Sequence, residues 1–146
     1  MTSDIMIDIS GVCGVAFIFN DNIIALIEMD SGNIISFRNV TYPAEAIAVD
    51  KVKKEIYIIS GDSNSTNPPH PMYKYDITLK NEIFVGNTFI APLGLDFNEN
   101  DGQLYSVFED NIYIINPNDA SNKIIGQNDA DLETAILVTK DGNGLI

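Results

Sequence analysis

The sequence predicts an all-β fold built from repeated four-stranded antiparallel sheets, and three observations support this prediction. Short runs rich in Ile, Val, Tyr and Phe are separated by Asn, Asp, Gly, Ser and Pro, which is the chemistry of strands and turns. No stretch of about a dozen residues carries the i, i+3, i+4, i+7 apolar spacing of a helix. The runs also recur in a similar order along the chain, which indicates an internal repeat.

The predicted strands fall into groups of four. The first group is 5–10, 14–20, 22–29 and 33–40; the second is 44–50, 55–60, 72–77 and 82–87; the third is 92–98, 103–108, 111–116 and 122–127; and 132–139 opens a fourth. We therefore expect one domain over 1–146, with blades at approximately 5–40, 44–87 and 92–127 and the start of another at 132–146.

The segment 94–119 can be interpreted either as a metal-binding loop or as a turn between strands. It carries Asp96, Glu99 and Asp101 beside Gly102, which at first suggests a calcium loop. The EF-hand spacing fails, because the position that should hold the first aspartate is Phe97. Asn100-Asp101-Gly102 instead predicts a hairpin turn, in which glycine supplies the positive φ that tight turns need.

The second and third groups match in order, and together they indicate blades stacked around an axis. In each group an apolar strand ends in Asp or Asn, and a turn, a strand with Tyr, a second Tyr strand and a short closing strand follow. Four-stranded units repeating roughly every 40 to 45 residues are typical of β-propellers. Stacking buries both faces of each sheet, which explains strands such as "AIAVD" that are apolar at nearly every position.

The pattern "GLDFNENDGQLYSVF…NIYIINPNDASNKIIG" resembles the repeats of bacterial β-propellers of the YVTN and NHL type. The resemblance extends well over 44–139 and more loosely over 1–43. It implies a β-propeller or part of one, of neither the WD nor the Kelch type, because no Trp-Asp pair and no paired Kelch glycines occur. It implies no particular activity, because propellers support binding, scaffolding and catalysis.

Composition excludes several classes of function. The formal net charge of −13, with only eight Lys and Arg, opposes binding to nucleic acids and anionic membranes. No apolar run approaches the roughly 20 residues of a membrane helix. Cys13 is the single cysteine, so no disulfide can form within the chain, and no basic neighbour supports a reactive thiol.

Asp129, Asp131 and Glu133 are the best candidate metal ligands. Residues at i, i+2 and i+4 share one face of a strand, and three converging carboxylates suit a hard cation such as calcium. The alternative is a solvated connection between blades, where Asp and Asn form turns. We expect no cofactor, and calcium is the one ion that the pattern leaves open.

The candidate ligand- or partner-binding loop is the Pro-rich insert "NSTNPPHPMY". It contains Asn67 and His70, the chain's single histidine, and leads into Tyr73 and Tyr75. Prolines keep such a loop extended, and loops on rigid scaffolds often carry binding. The alternative is a surface loop that has no binding role. The recurring Tyr57, Tyr73, Tyr105 and Tyr113 indicate core positions rather than a sugar-stacking platform.

The sequence therefore favours a non-catalytic binding or structural module that presents loops to a protein or glycan. We expect an extracellular, cell-surface or virion location and either a homo-oligomer or a fragment of a longer chain, because about three blades are fewer than closed propellers use. The alternative is a fragment of a calcium-dependent propeller hydrolase or lyase. Asp129, Asp131, Glu133, Asp96 and Asp50 would be its candidate residues.

Overall fold

The computed structural model describes residues 5–8, 13–18, 22–40, 43–61, 70–90, 92, 94–127, 137–138 and 144–145, and its regular elements are strands. In chain order they are β1 (Ile5–Asp8), β2 (Cys13–Ile18), β3 (Ile23–Glu28), β4 (Ile34–Asn39), β5 (Ala44–Asp50), β6 (Glu55–Ser60), β7 (His70–Asp76), β8 (Glu82–Thr88), β9 (Gly94–Asn98), β10 (Gln103–Phe108), β11 (Asn111–Ile115), β12 (Asn122–Gln127), β13 (Leu137–Val138) and β14 (Gly144–Leu145). Within these residues no helix has the length and apolar character needed to span a membrane.

The strands form four-stranded antiparallel sheets, each with its strands in sequence order. β1–β4 form blade 1, β5–β8 form blade 2 and β9–β12 form blade 3, while β13 and β14 pair as a separate two-stranded sheet. Short connections between neighbouring strands dictate this antiparallel order, because parallel pairing requires a long crossover. The prediction of an all-β fold made of four-stranded antiparallel units is confirmed.

The blades pack side by side through their first strands. β1 contacts β5, β5 contacts β9 and β9 contacts β13, so the first strand of each blade is its inner strand. The fourth strands, β4, β8 and β12, form the opposite edge of each sheet and are called the outer strands here. This arrangement of successive antiparallel sheets around shared inner strands is that of a β-propeller or part of one.

Blade 2 is buried on both faces, which accounts for its nearly continuous apolar sequence. Ile56 and Ile58 of β6 belong to the core shared with blade 1, whereas Tyr57 and Ile59 belong to the core shared with blade 3. All four side chains are at most 4% exposed. A strand with two buried faces cannot alternate apolar with polar residues, as the sequence "EIYIIS" shows.

Every outer strand carries a β-bulge at the same place. The bulge falls after Ile34 in β4, after Phe84 in β8 and after Ile124 in β12. Aligning the three blades at the bulge shows which residues are equivalent, and Ser36, Gly86 and Gly126 occupy the same position. The extra residue bends the outer edge away from flat strand pairing, which protects an exposed edge from further association.

The turns that join β5 to β6, β7 to β8, β9 to β10 and β11 to β12 lie at one end of the inner strands, called the hairpin end; Gly61 and His70 lie at the other end, called the loop end. Lys54 and Gly102 take positive φ values of 58° and 70° in the first turns of blades 2 and 3. The Gly102 amide donates to the Asn98 carbonyl at 2.8 Å. The predicted turn at Asn100-Asp101-Gly102 is therefore confirmed.

Candidate binding site

The most unusual polar contact within the described residues joins Glu45 and His70 at the loop end. Glu45 lies near the start of the inner strand β5, and His70 begins β7 directly after segment 62–69. The Nδ1 atom of His70 lies 2.8 Å from Oε2 of Glu45, and the side chains are 4% and 13% exposed. The two atoms are within hydrogen-bonding distance, but the contact does not meet the geometry of a hydrogen bond.

Gly61 packs directly against this pair. A Cβ atom at Gly61 would lie 2.5 Å from Oε1 of Glu45 and 2.7 Å from Nδ1 of His70, so a larger residue does not fit without displacing them. The Gly61 amide donates to the Pro43 carbonyl at 3.1 Å. Glu45, Gly61 and His70 therefore form one cluster that joins both ends of segment 61–70; we call it the loop anchor.

The blade fold itself does not require a Glu–His pair at this position. His70 pairs with Thr88 of its outer strand, and the equivalent residue of blade 1 is Ile24, which pairs with Arg38. Ile24 is fully buried in the apolar core. Burying polar groups costs desolvation free energy that an apolar residue avoids, so a Glu–His contact at this position favours a functional role over a structural one.

The other predicted loop residues occupy different environments. Tyr75 is buried; its hydroxyl donates to Glu82 at 2.8 Å, and the Arg38 guanidinium lies 5.7 Å from the centre of its ring. Tyr73 is half-buried with its ring edge-on to Phe84. His70 and Tyr75 thus point into the protein rather than into solvent.

Asn67 lies outside the described residues, so the binding role of the loop stays a prediction.

The predicted metal ligands Asp129, Asp131 and Glu133 also lie outside the described residues. In the described part of the chain, no group of three His, Cys, Asp or Glu side chains is arranged to hold a metal ion.

Asp50 and Asp96, the other two candidates for a calcium site, make short local contacts. Asp50 is buried and accepts hydrogen bonds from the amides of Val52 and Lys53, and Asp96 accepts one from Phe97. These carboxylates stabilise their own turn and strand.

The sequence interpretation missed a groove between blades 2 and 3 at the hairpin end. Its volume is about 240 Å³. It is lined by residues of three turns and of β5, β6, β7 and β9. They are Asp50, Val52, Lys53, Glu55, Tyr57, Lys74, Phe97, Glu99, Gly102, Pro117 and Asn118. No signal in the sequence identifies this groove, because its two walls belong to different repeats.

A short polar network lines the blade 2 side of the groove. Glu55 accepts hydrogen bonds from the Tyr57 hydroxyl at 2.9 Å and from Nζ of Lys74 at 3.3 Å. Burial, and then the hydrogen bond to Glu55, raise the pKa of Tyr57 well above its usual value, so this hydroxyl stays protonated. The Tyr57 ring lies parallel to Phe97 of blade 3, with ring centres 5.9 Å apart.

Comparisons with known proteins indicate the fold. No protein-family model matches the chain, and no curated protein matches it. Hydrazine synthase of Kuenenia stuttgartiensis matches with a TM-score of 0.67 and 15% identity, over 90% of this chain and 37% of the other. The nidogen/laminin complex matches with a TM-score of 0.64 and 18% identity, over 86% and 48%.

A third similar structure is a structural genomics protein of unknown function from Bacteroides thetaiotaomicron. It matches with a TM-score of 0.55 and 13% identity, over 95% of this chain and 50% of the other. The chain thus spans at most half the length of these chains. At such low identities the matches show the fold alone: an all-β, propeller-like arrangement of antiparallel blades.

Proposed function

We propose that this chain is a non-catalytic binding module of the β-propeller type, which presents its loop end to a protein partner. The loop anchor is the observation that carries the proposal. It holds both ends of segment 61–70 against blade 2, whose two faces are both buried. A loop whose ends are fixed on a rigid scaffold loses less conformational entropy on binding, which favours affinity.

Two further observations support a protein partner. The insert is Pro-rich, and an extended Pro-rich segment is already ordered in a conformation that protein grooves recognise. One of the similar structures is a complex between two proteins, nidogen and laminin. The net charge of −13 favours a partner with a basic surface, because opposite fields accelerate association.

The role of the polar side chains supports a non-catalytic module. Asp50, Asp76 and Asp101 all accept hydrogen bonds from backbone amides of their own turns. Glu55 and Glu82 accept hydrogen bonds from tyrosine hydroxyls. Each of these contacts stabilises a turn or a strand pair rather than preparing a nucleophile or a base.

Additional blades are part of this proposal. Among the described residues, the large apolar cores of blades 1 and 3 lie where these blades face blade 2. Their other faces carry the small clusters of Ala25 with Ile27 and of Val107 with Tyr105 and Ile112. A second copy of the chain, or further blades of a longer one, would cover these faces.

Light scattering on a size-exclusion column tests how the faces are covered. A second copy predicts a mass of twice the 16.0 kDa of one chain. A monomer that binds a hydrophobic dye would instead require further blades.

The binding test compares the wild type with a variant in which 62–69 is replaced by a flexible Gly-Ser linker. Both are labelled and applied to a peptide array and a glycan array, with calcium or with a chelator. We expect saturable binding to basic peptides that the variant loses while its melting temperature is kept. The proposal would be overturned by peptide arrays that show no binding, or by binding that the replacement leaves unchanged. Cleavage of the bound ligand would also overturn it. Calcium-dependent cleavage would favour the hydrolase or lyase alternative.

A further inference from the structure

The groove between blades 2 and 3 is a second candidate site, independent of the loop end. It opens among the β5–β6, β9–β10 and β11–β12 turns, at the end of the inner strands away from the loop anchor. With about 240 Å³ it is smaller than the roughly 300–1,000 Å³ of pockets for drug-sized ligands. It therefore suits one ring-sized group rather than an extended ligand.

The two walls of the groove differ in chemistry. The blade 3 wall includes the half-buried Phe97, the buried Pro117 and the bare backbone of Gly102. The blade 2 wall presents the connected polar groups of Glu55 and Lys74. A ligand that fits has one flat apolar face and an edge with hydrogen-bonding groups.

The charges lining the groove disfavour an anionic ligand. The carboxylate of Glu55 is paired with Lys74 at 3.3 Å, and that of Asp50 accepts backbone amides of its turn. The other two charged residues of the lining, Lys53 and Glu99, carry opposite signs. The lining thus holds three carboxylates and two ammonium groups, and this small negative excess opposes an anionic ligand.

The rim can both donate and accept hydrogen bonds. The Lys74 ammonium donates, the Glu55 carboxylate accepts, and the Asn118 side-chain amide does both. A hydroxyl group also does both, so a ligand rich in hydroxyls satisfies all three groups without carrying charge.

We infer that the groove binds a single uncharged pyranose ring. The C–H face of the sugar lies against Phe97, and its hydroxyl edge faces Glu55 and Lys74. The wall that forms the polar edge comes from blade 2 and the apolar wall from blade 3, so the site exists only where the two blades are stacked.

Saturation-transfer NMR on the whole chain tests the inference. The probes are the methyl pyranosides of glucose, galactose and mannose, with glucuronic acid and glucosamine as charged comparisons. Lys74→Met and Asn118→Ala each remove one polar group of the rim. Lys123→Met and Asn87→Ala are the matched controls, because both residues are exposed on outer strands away from the groove.

We expect at least one methyl pyranoside to give a saturable signal. Its affinity should fall about fivefold or more in each groove variant, the effect of one lost hydrogen bond, and stay unchanged in both controls. Asn118 is exposed, so Asn118→Ala keeps the fold and decides the test if Lys74→Met does not fold. The variant that lacks 62–69 should keep the sugar signal, which separates this inference from the loop-end proposal.

Three results would overturn the inference. One is the absence of a saturable signal from any of the neutral pyranosides. Another is equal affinity in the groove variants and their controls, which would place the sugar elsewhere. The third is stronger binding of glucuronic acid or glucosamine than of the neutral sugars.

Discussion

Arg38 on the outer strand of blade 1 reaches Glu82 on the outer strand of blade 2, with Nε of Arg38 3.5 Å from Oε2 of Glu82. The same guanidinium donates to the carbonyls of Leu79 and Lys80 at 3.1 and 3.0 Å and lies over the Tyr75 ring. The chain's one arginine therefore fastens blade 1 to the last hairpin of blade 2.

The next pair of blades uses a neutral contact at the equivalent position. Relative to the bulges, Thr88 of blade 2 corresponds to Arg38, and Asn122 of blade 3 corresponds to Glu82. The Asn122 amide donates to the Thr88 hydroxyl at 3.3 Å. The blade repeat thus preserves the place of the contact while its chemistry changes from ionic to neutral.

The Arg38→Ala variant should lower the free energy of unfolding by about 2 kcal/mol, because two carbonyl hydrogen bonds and the contact with Tyr75 are lost together. The Glu82→Gln variant should lower it by less than about 1 kcal/mol, because the ion pair is about one-third exposed and screened by water. Urea unfolding of both variants measures the difference. Equal losses would mean that the ion pair, rather than the carbonyl contacts, stabilises this blade interface.

The Gly86→Ala variant should lower the free energy of unfolding by about 2 kcal/mol or more. A Cβ atom at Gly86 would lie 2.3 Å from the backbone oxygen of Asp119 in the last turn of blade 3, and backbone cannot easily move away. Gly126→Ala is the matched control: it occupies the same bulge position, but its Cβ atom would meet only Ile112, at 3.9 Å. Similar melting temperatures for the two variants would contradict the close packing of blades 2 and 3.

Substitutions at the paired turn positions should have opposite effects. Lys54→Gly should raise the free energy of unfolding by up to about 1 kcal/mol, because lysine at positive φ is strained and glycine is not. Gly102→Ala should lower it by about 1 kcal/mol through conformation alone, since nothing lies within 4 Å of the added Cβ atom. Thermal unfolding measures both, and a stabilising Gly102→Ala would show that the turn adopts another conformation.

Alkaline pH should destabilise the protein through Tyr57 and Tyr75. Burial, and then hydrogen bonds to Glu55 and Glu82, raise the pKa of both residues above the ordinary value of 10.0. The folded state therefore holds these protons more tightly than the unfolded state. Their contribution to stability is complete below pH 10.0 and is lost as the pH rises above it.

The measurement is chemical unfolding at a series of pH values, together with tyrosinate absorbance. Tyr57→Phe and Tyr75→Phe should each reduce the fall in stability above pH 10.0. If both tyrosines ionise near that pH without unfolding, their hydroxyls are not held as the structure shows.

Replacing one member of the loop anchor should be worse than replacing both. His70→Ile leaves the Glu45 carboxylate buried without its histidine and should lower the free energy of unfolding by about 2–3 kcal/mol. Glu45→Met combined with His70→Ile should recover most of this loss, because Ile24 occupies the equivalent place in blade 1. A double variant as unstable as the single one would show that the fold itself requires the Glu45–His70 pair.

Local chemistry accounts for the parts of the structure that were predictable. The apolar runs and the Asn-Asp-Gly turn specify strands and hairpins because period, propensity and turn residues act over only a few positions. The sequence also predicted that both faces of such a strand are buried, because a strand that is apolar throughout must be covered on both faces. In the structure, Ile56 and Ile58 face one core and Tyr57 faces the other. The residues that pack against this strand could not be predicted, because they lie in other repeats.

The environment of the functional residues, by contrast, could not be predicted from local sequence. Sequence reasoning selected His70 for its Pro-rich surroundings and expected it at the surface, but it is buried against Glu45. Nothing near His70 in the sequence points to Glu45, which approaches from the inner strand of the same blade. The groove was missed for a similar reason, because Tyr57 and Phe97 meet only when two blades stack.

The sequence by itself determined the fold class, the antiparallel order of the strands and the turns that join them. These features depend on the intrinsic preferences of neighbouring residues and on short connections. The tertiary structure alone decided how Arg38 ties one blade to the next, how Glu45 meets His70 and which side chains line the groove. Such contacts join residues far apart in the chain, and they form only after apolar burial has stacked the sheets.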